Sequence, residues 1–309
     1  MQFSAGADIC VIDNDSSDDS LSFLKAEYPQ VKIFINEKNL GFAAGYNQGL
    51  RSIHAEYLVL LNSDVEVTAN WLDPIINLMD ADPKIAAAQP KILDAKKKTH
   101  FEYAGASGGF LDRFAYPYCR GRIFDTLEED KGQYEERTEV HWASGACFFM
   151  RKAIYDELGG LDEDLFAHME EIDLCWRART KGYSVYCEPA STVYHEGGAT
   201  LSGHAPFKSY LNFRNNLVML LKNDRSGYTY LLIYIRMLMD GLSVLRFLFQ
   251  GRPSHAWAVL KAHLHFYRDI GNTLKKRRAL GGLSAPRAPY SIVMRYFLME
   301  KKYFSELES

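Results

Sequence analysis

Three groups of side chains stand where chemistry could use them. Asp13 and Asp64 directly follow the apolar runs Ile9-Cys10-Val11-Ile12 and Tyr57-Leu58-Val59-Leu60-Leu61. In open α/β sheets ligands bind beyond the carboxyl ends of the strands, so acids placed there can meet a ligand. Asp13 opens a run of side-chain acceptors, Asp13-Asn14-Asp15-Ser16-Ser17-Asp18. That run suits a ribose hydroxyl or a pyrimidine N–H, although Asp13 could equally cap the following helix. Asp64 with a divalent cation can neutralise a diphosphate, or it is a turn carboxylate. The third group is Glu170-Glu171-Ile172-Asp173. On a helix Glu170 and Asp173 share a face and Glu171 points about 100° away. One of these carboxylates can deprotonate a hydroxyl as it attacks a sugar carbon; otherwise they are acids favoured by a helix N-terminus. His195, which follows a strand pattern and precedes Glu196-Gly197-Gly198, offers a metal ligand or a phosphate contact.

No glycine-rich phosphate loop competes, because no such run ends in Gly-Lys-Ser/Thr. In Asn39-Leu40-Gly41-Phe42-Ala43-Ala44-Gly45 the glycines are spaced too widely for the tight dinucleotide fingerprint. A nucleotide held by acids and a cation remains.

The elements that must position these groups alternate. Strands are expected at Ile9–Ile12, Val31–Ile35, Tyr57–Leu61, Ile85–Gln89, Ala146–Met150 and Ser184–Cys187. Helices are expected from Ser20 to about Glu27, Tyr46 to Ile53, Trp71 to Met79, Lys152 to Leu158 and Glu170 to Lys181. This rhythm predicts an α/β fold around a mixed, mainly parallel sheet. Between about 92 and 140 it breaks into a glycine-punctuated excursion of loops and hairpin. From residue 205 three long helical patterns follow, Phe207–Leu221, Tyr228–Phe249 and Ser254–Leu274.

The chain of 309 residues is 47% hydrophobic and 13% aromatic with a net charge of -3, which excludes disorder as its main state. The balance hides a split. Residues 1–204 hold 19 Lys and Arg against 33 Asp and Glu, and residues 205–309 hold 17 against 6. Two regions are expected: a catalytic body over 1–204 and a basic, amphipathic helical region over 205–309. The acidic body argues against nucleic acid as a partner. Five cysteines without zinc-ligand spacing read as buried thiols of a reducing cytoplasm. The start lacks a secretory pattern, and no 18-residue stretch is free of charge. Tyr228–Phe249 is apolar but interrupted by Arg236, Asp240 and Arg246, as suits an interfacial helix or one packed on the body or in a homodimer. Lys275-Lys276-Arg277-Arg278 favours an anionic membrane surface, the alternative being a solvated basic patch. The expected location is cytoplasmic, peripheral on the inner face of the cell membrane.

These pieces resemble the family 2 glycosyltransferases of the GT-A type, in particular bacterial rhamnosyltransferase-like members that build surface polysaccharides. The resemblance covers about residues 8–220. It rests on Val11 to Asp18, Asn39 to Asn47, Leu60 to Asp64, Trp142-Ala143-Ser144-Gly145-Ala146, Gly159 to Glu163, Glu170 to Arg177 and His195 to Gly198. It implies inverting transfer from a nucleotide-diphospho-sugar to an acceptor hydroxyl, on a saccharide or lipid-linked saccharide, with Mg2+ or Mn2+. By the resemblance Asp13, Asn39, Gly41, Asn62, Ser63, Asp64 and Arg214 serve the donor, and Asp64 with His195 serves the metal. Glu171 is the base by position, with Glu170 and Asp173 beside it and Trp142, Gly145 and Arg177 on the acceptor side. Asn62 stands where the family's metal motif carries a further acid, and Glu171 is one methylene longer than the usual aspartate. The processive members' Gln-x-x-Arg-Trp is absent, which predicts transfer of a single sugar. The family also opens with a strand well ahead of the Asp13 motif. Ile9 is therefore expected to begin the fold's second strand, in a chain that is N-terminally short. The alternative expectation is a catalytically impaired protein of this fold serving as a membrane-associated scaffold.

Overall fold

The computed structural model describes residues 3–197 and 206–307. The chain begins β1 (Cys10–Asp13), α1 (Ser20–Glu27), β2 (Lys32–Ile35) and α2 (Gly41–Leu50). It continues β3 (Tyr57–Leu61), β4 (Val65–Val67), α3 (Asp73–Ala81) and β5 (Ile85–Asp94). Five short strands follow: β6 (Gly109–Leu111), β7 (Pro117–Cys119), β8 (Arg122–Ile123), β9 (Thr126–Leu127) and β10 (Thr138–Glu139). Then come β11 (Cys147–Arg151), α4 (Lys152–Glu157), α5 (Glu170–Thr180) and β12 (Ser184–His195). The C-terminal helical extension is α6 (Pro206–Asn223), α7 (Thr229–Phe249), α8 (Pro253–Leu280) and α9 (Ile292–Phe297).

The central sheet runs β10-β12-β5-β11-β3, with β4 also on β12. It is mixed, and in its long strands mainly parallel: β3, β5 and β12 point one way, against β11, β4 and β10. β1 and β2 form a separate parallel pair. This is the α/β architecture expected from the alternating pattern.

Two strands outrun their expected ends. β5 continues past Gln89 because the buried amide is satisfied within the protein: it donates to the Pro90 and Gly105 carbonyls and accepts from the Ser144 N–H. β12 passes Pro189 through a register shift between Glu188 and Thr192, which absorbs the missing donor. The extra length carries His195 to the end of the sheet. α2 starts at Gly41, five residues before expectation, because its glycines pack rather than break it. A Cβ on Gly49 would lie 2.5 Å from Ile12, and one on Gly45 3.2 Å from Asn14, so α2 lies close on β1. The excursion after β5 is a four-stranded sheet, β6-β7-β8-β9. All five cysteines are free and four are buried.

The change in composition at 204/205 is not a break in packing. Leu217 to Leu221 of α6 join the core cluster that contains Leu60, Phe148 and Leu174. Ile292, Tyr296 and Leu307 cover Tyr118 and Ile123 of the small sheet. On α7 Arg236 and Asp240 face inward, while Arg246 is exposed. The Arg236 guanidinium stacks 3.3 Å from the Tyr116 ring centre and donates to the Phe114 carbonyl at 2.8 Å. Asp240 lies 3.1 Å from His263 of α8. The outward stripe Leu231, Tyr234, Leu238, Leu242, Leu245 and Phe249 is exposed, as is the stripe Trp257, Leu260, Leu264 and Tyr267 on α8. Among the described residues no helix is long and apolar enough to cross a membrane.

Candidate active site

Asp64 sits in the turn between β3 and β4, and His195 ends β12. Their backbones are joined by β4–β12 pairing, in which His195 faces Val65, and by the Glu196 N–H donating to the Asp64 carbonyl at 3.0 Å. The His195 Nε2 lies 3.1 Å from Asp64 Oδ1. The other ring nitrogen, Nδ1, is buried 3.3 Å from Glu102 Oε2, without an aligned hydrogen bond. Burial pushes His195 down, but Glu102 and Asp64 on either side outweigh it and raise its pKa. Glu102, itself buried, went unrecognised in the sequence because it lies in the irregular 92–140 stretch with no motif around it. A carboxylate and an imidazole nitrogen that is free to ligate once His195 is neutral, with the Asn62 amide nearby in the turn, form a mixed oxygen and nitrogen donor set that fits Mn2+, or Mg2+ held mainly through oxygens, with further oxygens from a diphosphate. Among the described residues no group of three or more His, Cys, Asp or Glu could hold a metal by itself.

The two acidic sites meet across the start of β11. The Asn62 N–H donates to the Ala146 carbonyl at 3.0 Å. On the preceding residue, a Cβ placed on Gly145 would lie 3.7 Å from the Glu171 carboxyl carbon and 3.7 Å from the Phe42 ring. Gly145 thus separates the Asn62-Ser63-Asp64 turn from Glu171 by the thickness of one backbone. Burial raises the Glu171 carboxyl to about 7. Glu170 is buried, with Oε2 unpartnered among the described residues; burial and the Glu171 charge push it well above its ordinary value of 4.5. Its folded form therefore keeps the proton to higher pH than its unfolded form. The fold loses stability relative to that reference as pH rises above about 4.5 and until the folded group itself ionises. Glu170→Gln should therefore match wild type in thermal stability at pH 4 and exceed it at pH 8. Equal melting temperatures at pH 8 would remove the buried carboxyl as a cost.

The loop that presents these two acids has Phe166, His168 and Met169 at positive φ, an arrangement that needs support from around it. Asn215 of α6 donates to the Leu165, Ala167 and His168 carbonyls at 2.8 to 2.9 Å. The Ala43 N–H donates to the Phe166 carbonyl, and Gly41 (φ +79°) leaves room for it: a Cβ there would sit 2.6 Å from that oxygen. Asn39 accepts from the Gly41 N–H at 2.9 Å, and Asn14 bonds to Asn39, Asn36 and the Gly41 carbonyl. In this structure Asn39 and Gly41 thus shape the loop at the start of α2. Asp13 is buried at the end of β1 and accepts from the Ser16 N–H at 3.4 Å. The N-cap of α1 is Asp19, so the helix-cap alternative for Asp13 does not describe it.

Four other residues occupy surroundings that the sequence did not indicate. Asp173 is fully buried, 2.9 Å from Arg177 and 2.7 Å from Lys222, and Arg177 also donates to the Leu158 and Gly160 carbonyls. Both are buried in the interior. Trp142 is buried, its indole N–H donating to the Phe110 carbonyl. Arg214 lies in the third turn of α6, which starts at Pro206. It donates to the Asp164 carbonyl and the Asn215 side chain at 2.8 and 2.9 Å. Gly198, the last residue of the His195 motif, lies outside the described residues.

A mixed-sheet α/β body, with acids at two strand ends and a carboxylate helix across one backbone from the second of them, is the GT-A class of glycosyltransferase fold. The profile described as "Glycosyl transferase family 2" matches residues 3–159, and the chain belongs to that family. It is 23% identical over 274 residues to the low-salt glycan biosynthesis hexosyltransferase Agl10 of Haloferax volcanii, covering 85% of this chain and 84% of that one. It is 22% identical over 235 residues to the N-acetylglucosaminyl-diphospho-decaprenol L-rhamnosyltransferase of Mycobacterium tuberculosis, covering 71% and 76%. Among solved structures it is similar in fold to GalNAc-T7 crystallised with UDP, GalNAc and Mn2+, with a TM-score of 0.54 and 19% identity. That likeness covers 72% of this chain and 43% of GalNAc-T7.

Proposed function

We propose that the protein is an inverting glycosyltransferase that moves one sugar, with L-rhamnose the first candidate, from a nucleotide-diphospho-sugar to a hydroxyl of a lipid-linked saccharide in surface polysaccharide synthesis. The observation that carries this reading is Glu171, raised to about 7 and set one backbone away from the Asn62-Ser63-Asp64 turn. A base of that pKa is matched to work near neutral pH. Glu171 takes the acceptor hydroxyl proton as that oxygen bonds to the anomeric carbon. The bond from that carbon to the diphosphate oxygen breaks on the opposite face, its electron pair leaving with the nucleotide. Asp64 and His195 would hold the cation and Asp13 the nucleobase. A bound Mg2+ or Mn2+ neutralises charge on the leaving diphosphate. The activity for which the mycobacterial relative is named supports a rhamnosyl donor and a lipid diphosphate acceptor. The outward apolar stripes of α7 and α8 support a place on the inner face of the cell membrane, where such acceptors lie.

The deciding experiment is a screen of deoxythymidine- and uridine-diphospho-sugars with Mn2+, scoring donor hydrolysis and transfer. Asp64→Ala should abolish metal-stimulated turnover; full turnover in that variant removes Asp64 from the metal role. Glu102→Gln should weaken Mn2+ binding by about 10- to 100-fold, since partners of a ligating imidazole orient it. Electron paramagnetic resonance of Mn2+ titrated into the nucleotide-bound chain reads this directly, and unchanged affinity separates Glu102 from the site. The second reading, a catalytically impaired scaffold, is favoured by Asn62 and by the lack of a three-group metal cluster among the described residues. Failure to bind any nucleoside diphosphate, with or without Mn2+, would select it.

A further inference from the structure

α7 and α8 form an antiparallel hairpin with their outward stripes side by side: the Tyr267 hydroxyl reaches Met237 at 3.2 Å, and Phe247 stacks near His255 at 5.2 Å. Along α8 the apolar row is bordered, one residue further round, by Lys261, Arg268 and Lys275 at seven-residue intervals, all exposed. From Thr229 to Leu280 there are nine Lys and Arg and only two acids. Both acids are engaged, Asp240 by Arg236 and His263, and Asp269 by Arg268. An apolar face rimmed by an excess of positive charge, with Lys261 and Lys275 outside the ion pairs among the described residues, is complementary to an anionic lipid surface and would repel a second copy of itself.

At the open end of the hairpin the stripes run into a cavity of about 360 Å³, lined by Arg225, Tyr230, Leu274, Arg277, Arg278 and the Gly281-Gly282 turn. Leu274 continues the α8 stripe and Tyr230 borders that of α7. Arg225 and Arg277 are held by carbonyl oxygens, Arg225 by those of Lys222, Arg277 and Gly281, and Arg277 by those of Leu221 and Asp224. Carbonyls orient a guanidinium without cancelling its charge. Burial and the neighbouring Arg277 push Arg225 below its ordinary pKa, the direction expected of positive charges without enough counter-charge. The nearby carboxylate, Asp224, is shared with Arg287 at 2.9 Å. Arg278 is exposed and has no ion-pair or hydrogen-bond partner among the described residues.

We propose that this arginine-lined cavity seats the phosphate of a membrane lipid headgroup while the α7–α8 stripes lie in the apolar edge of the bilayer. Three guanidinium donors match the several oxygens of a phosphomonoester or diphosphate. The assignment rests on the membrane reading above and adds to it a specific anion site, apart from the donor site.

The test is co-sedimentation of the full chain with phosphatidylcholine vesicles, alone or carrying phosphatidic acid or phosphatidylglycerol at matched surface charge. Wild type should partition at least about tenfold better onto anionic than neutral vesicles. Arg278→Ala should lower partition onto phosphatidic acid by about tenfold. Lys261→Ala, which removes the same charge outside the cavity, should lower it by no more than about fivefold, as one diffuse charge predicts. Leu242→Asp should weaken binding to every vesicle. Equal losses for Arg278→Ala and Lys261→Ala overturn the cavity. No preference for anionic vesicles, a lipid-free dimer abolished by Leu242→Asp, or a thermal shift with inorganic phosphate without vesicle binding each overturns the lipid assignment. Donor hydrolysis in lipid-free solution should be unchanged in all three variants. Its absence in wild type would instead count against the transferase reading, leaving the vesicle result to be judged by itself.

Discussion

Glu171→Gln should bind nucleotide-diphospho-sugar as wild type does and transfer its sugar about 10²- to 10⁴-fold more slowly, the range that positioned general-base catalysis contributes. The amide keeps the shape beside Gly145 and Phe42 but cannot accept a proton. The effect should fall on kcat with little change in donor affinity, because proton transfer belongs to the transition state. In wild type, activity should rise with pH through about 7, as the buried carboxyl ionises, instead of through the ordinary 4.5, and this limb should vanish from the residual activity of the variant. A pH–rate profile under donor saturation measures both. If Glu170→Gln is the damaging change and Glu171→Gln is not, the two acids exchange roles.

Lys222→Met should be the most destabilising single change outside the site. The Lys222 ammonium is almost fully buried and bonds to both Asp162 and Asp173. Burial pushes the Asp162 carboxyl up, and Lys222 with Lys276 overcomes this to hold it well below the ordinary carboxylate range. Removing the cation leaves two buried carboxylates underpaired, with an expected cost of about 3–5 kcal/mol. Methionine fills similar space, so the loss reads charge rather than volume. Urea unfolding of the variant measures it, and a loss below about 1 kcal/mol would show that Arg177 and Lys276 suffice. The double change Lys222→Met with Asp173→Asn should recover part of the loss. Because Asp173 lies on α5 and Lys222 on α6, the same network fixes the helix that carries Glu171 to the C-terminal extension.

The starts of β3, β5, β11 and β12 were legible in the sequence to within a residue, because a continuously apolar run buried on both faces, as in β5, leaves little choice of structure, whereas the short β4 and β10 carry no such run and were not. Where strands end was less legible. Gln89 and Pro189 look like stops, and only partners distant in sequence make them internal: the Gly105 and Ser144 backbones for one, and a register shift against β5 for the other. Glu102 was invisible for a related reason, since an acid in an irregular stretch carries no periodic signal.

By itself the sequence determined the order of the elements, the family, and the acids that stand at strand and helix ends, all properties of local pattern. Only the tertiary structure decided what each acid faces. Glu171 and Asp173 are two residues apart, yet one lies against Gly145 beside the Asn62-Ser63-Asp64 turn and the other is sealed between Arg177 and Lys222. A helix turns about 200° over two residues, so neighbours in a motif meet different environments. The same rotation turns Arg236 and Asp240 of α7 inward and its leucines outward. Charge and hydrophobicity are written in the chain, but burial and pairing, which set their energies, exist only once it has folded.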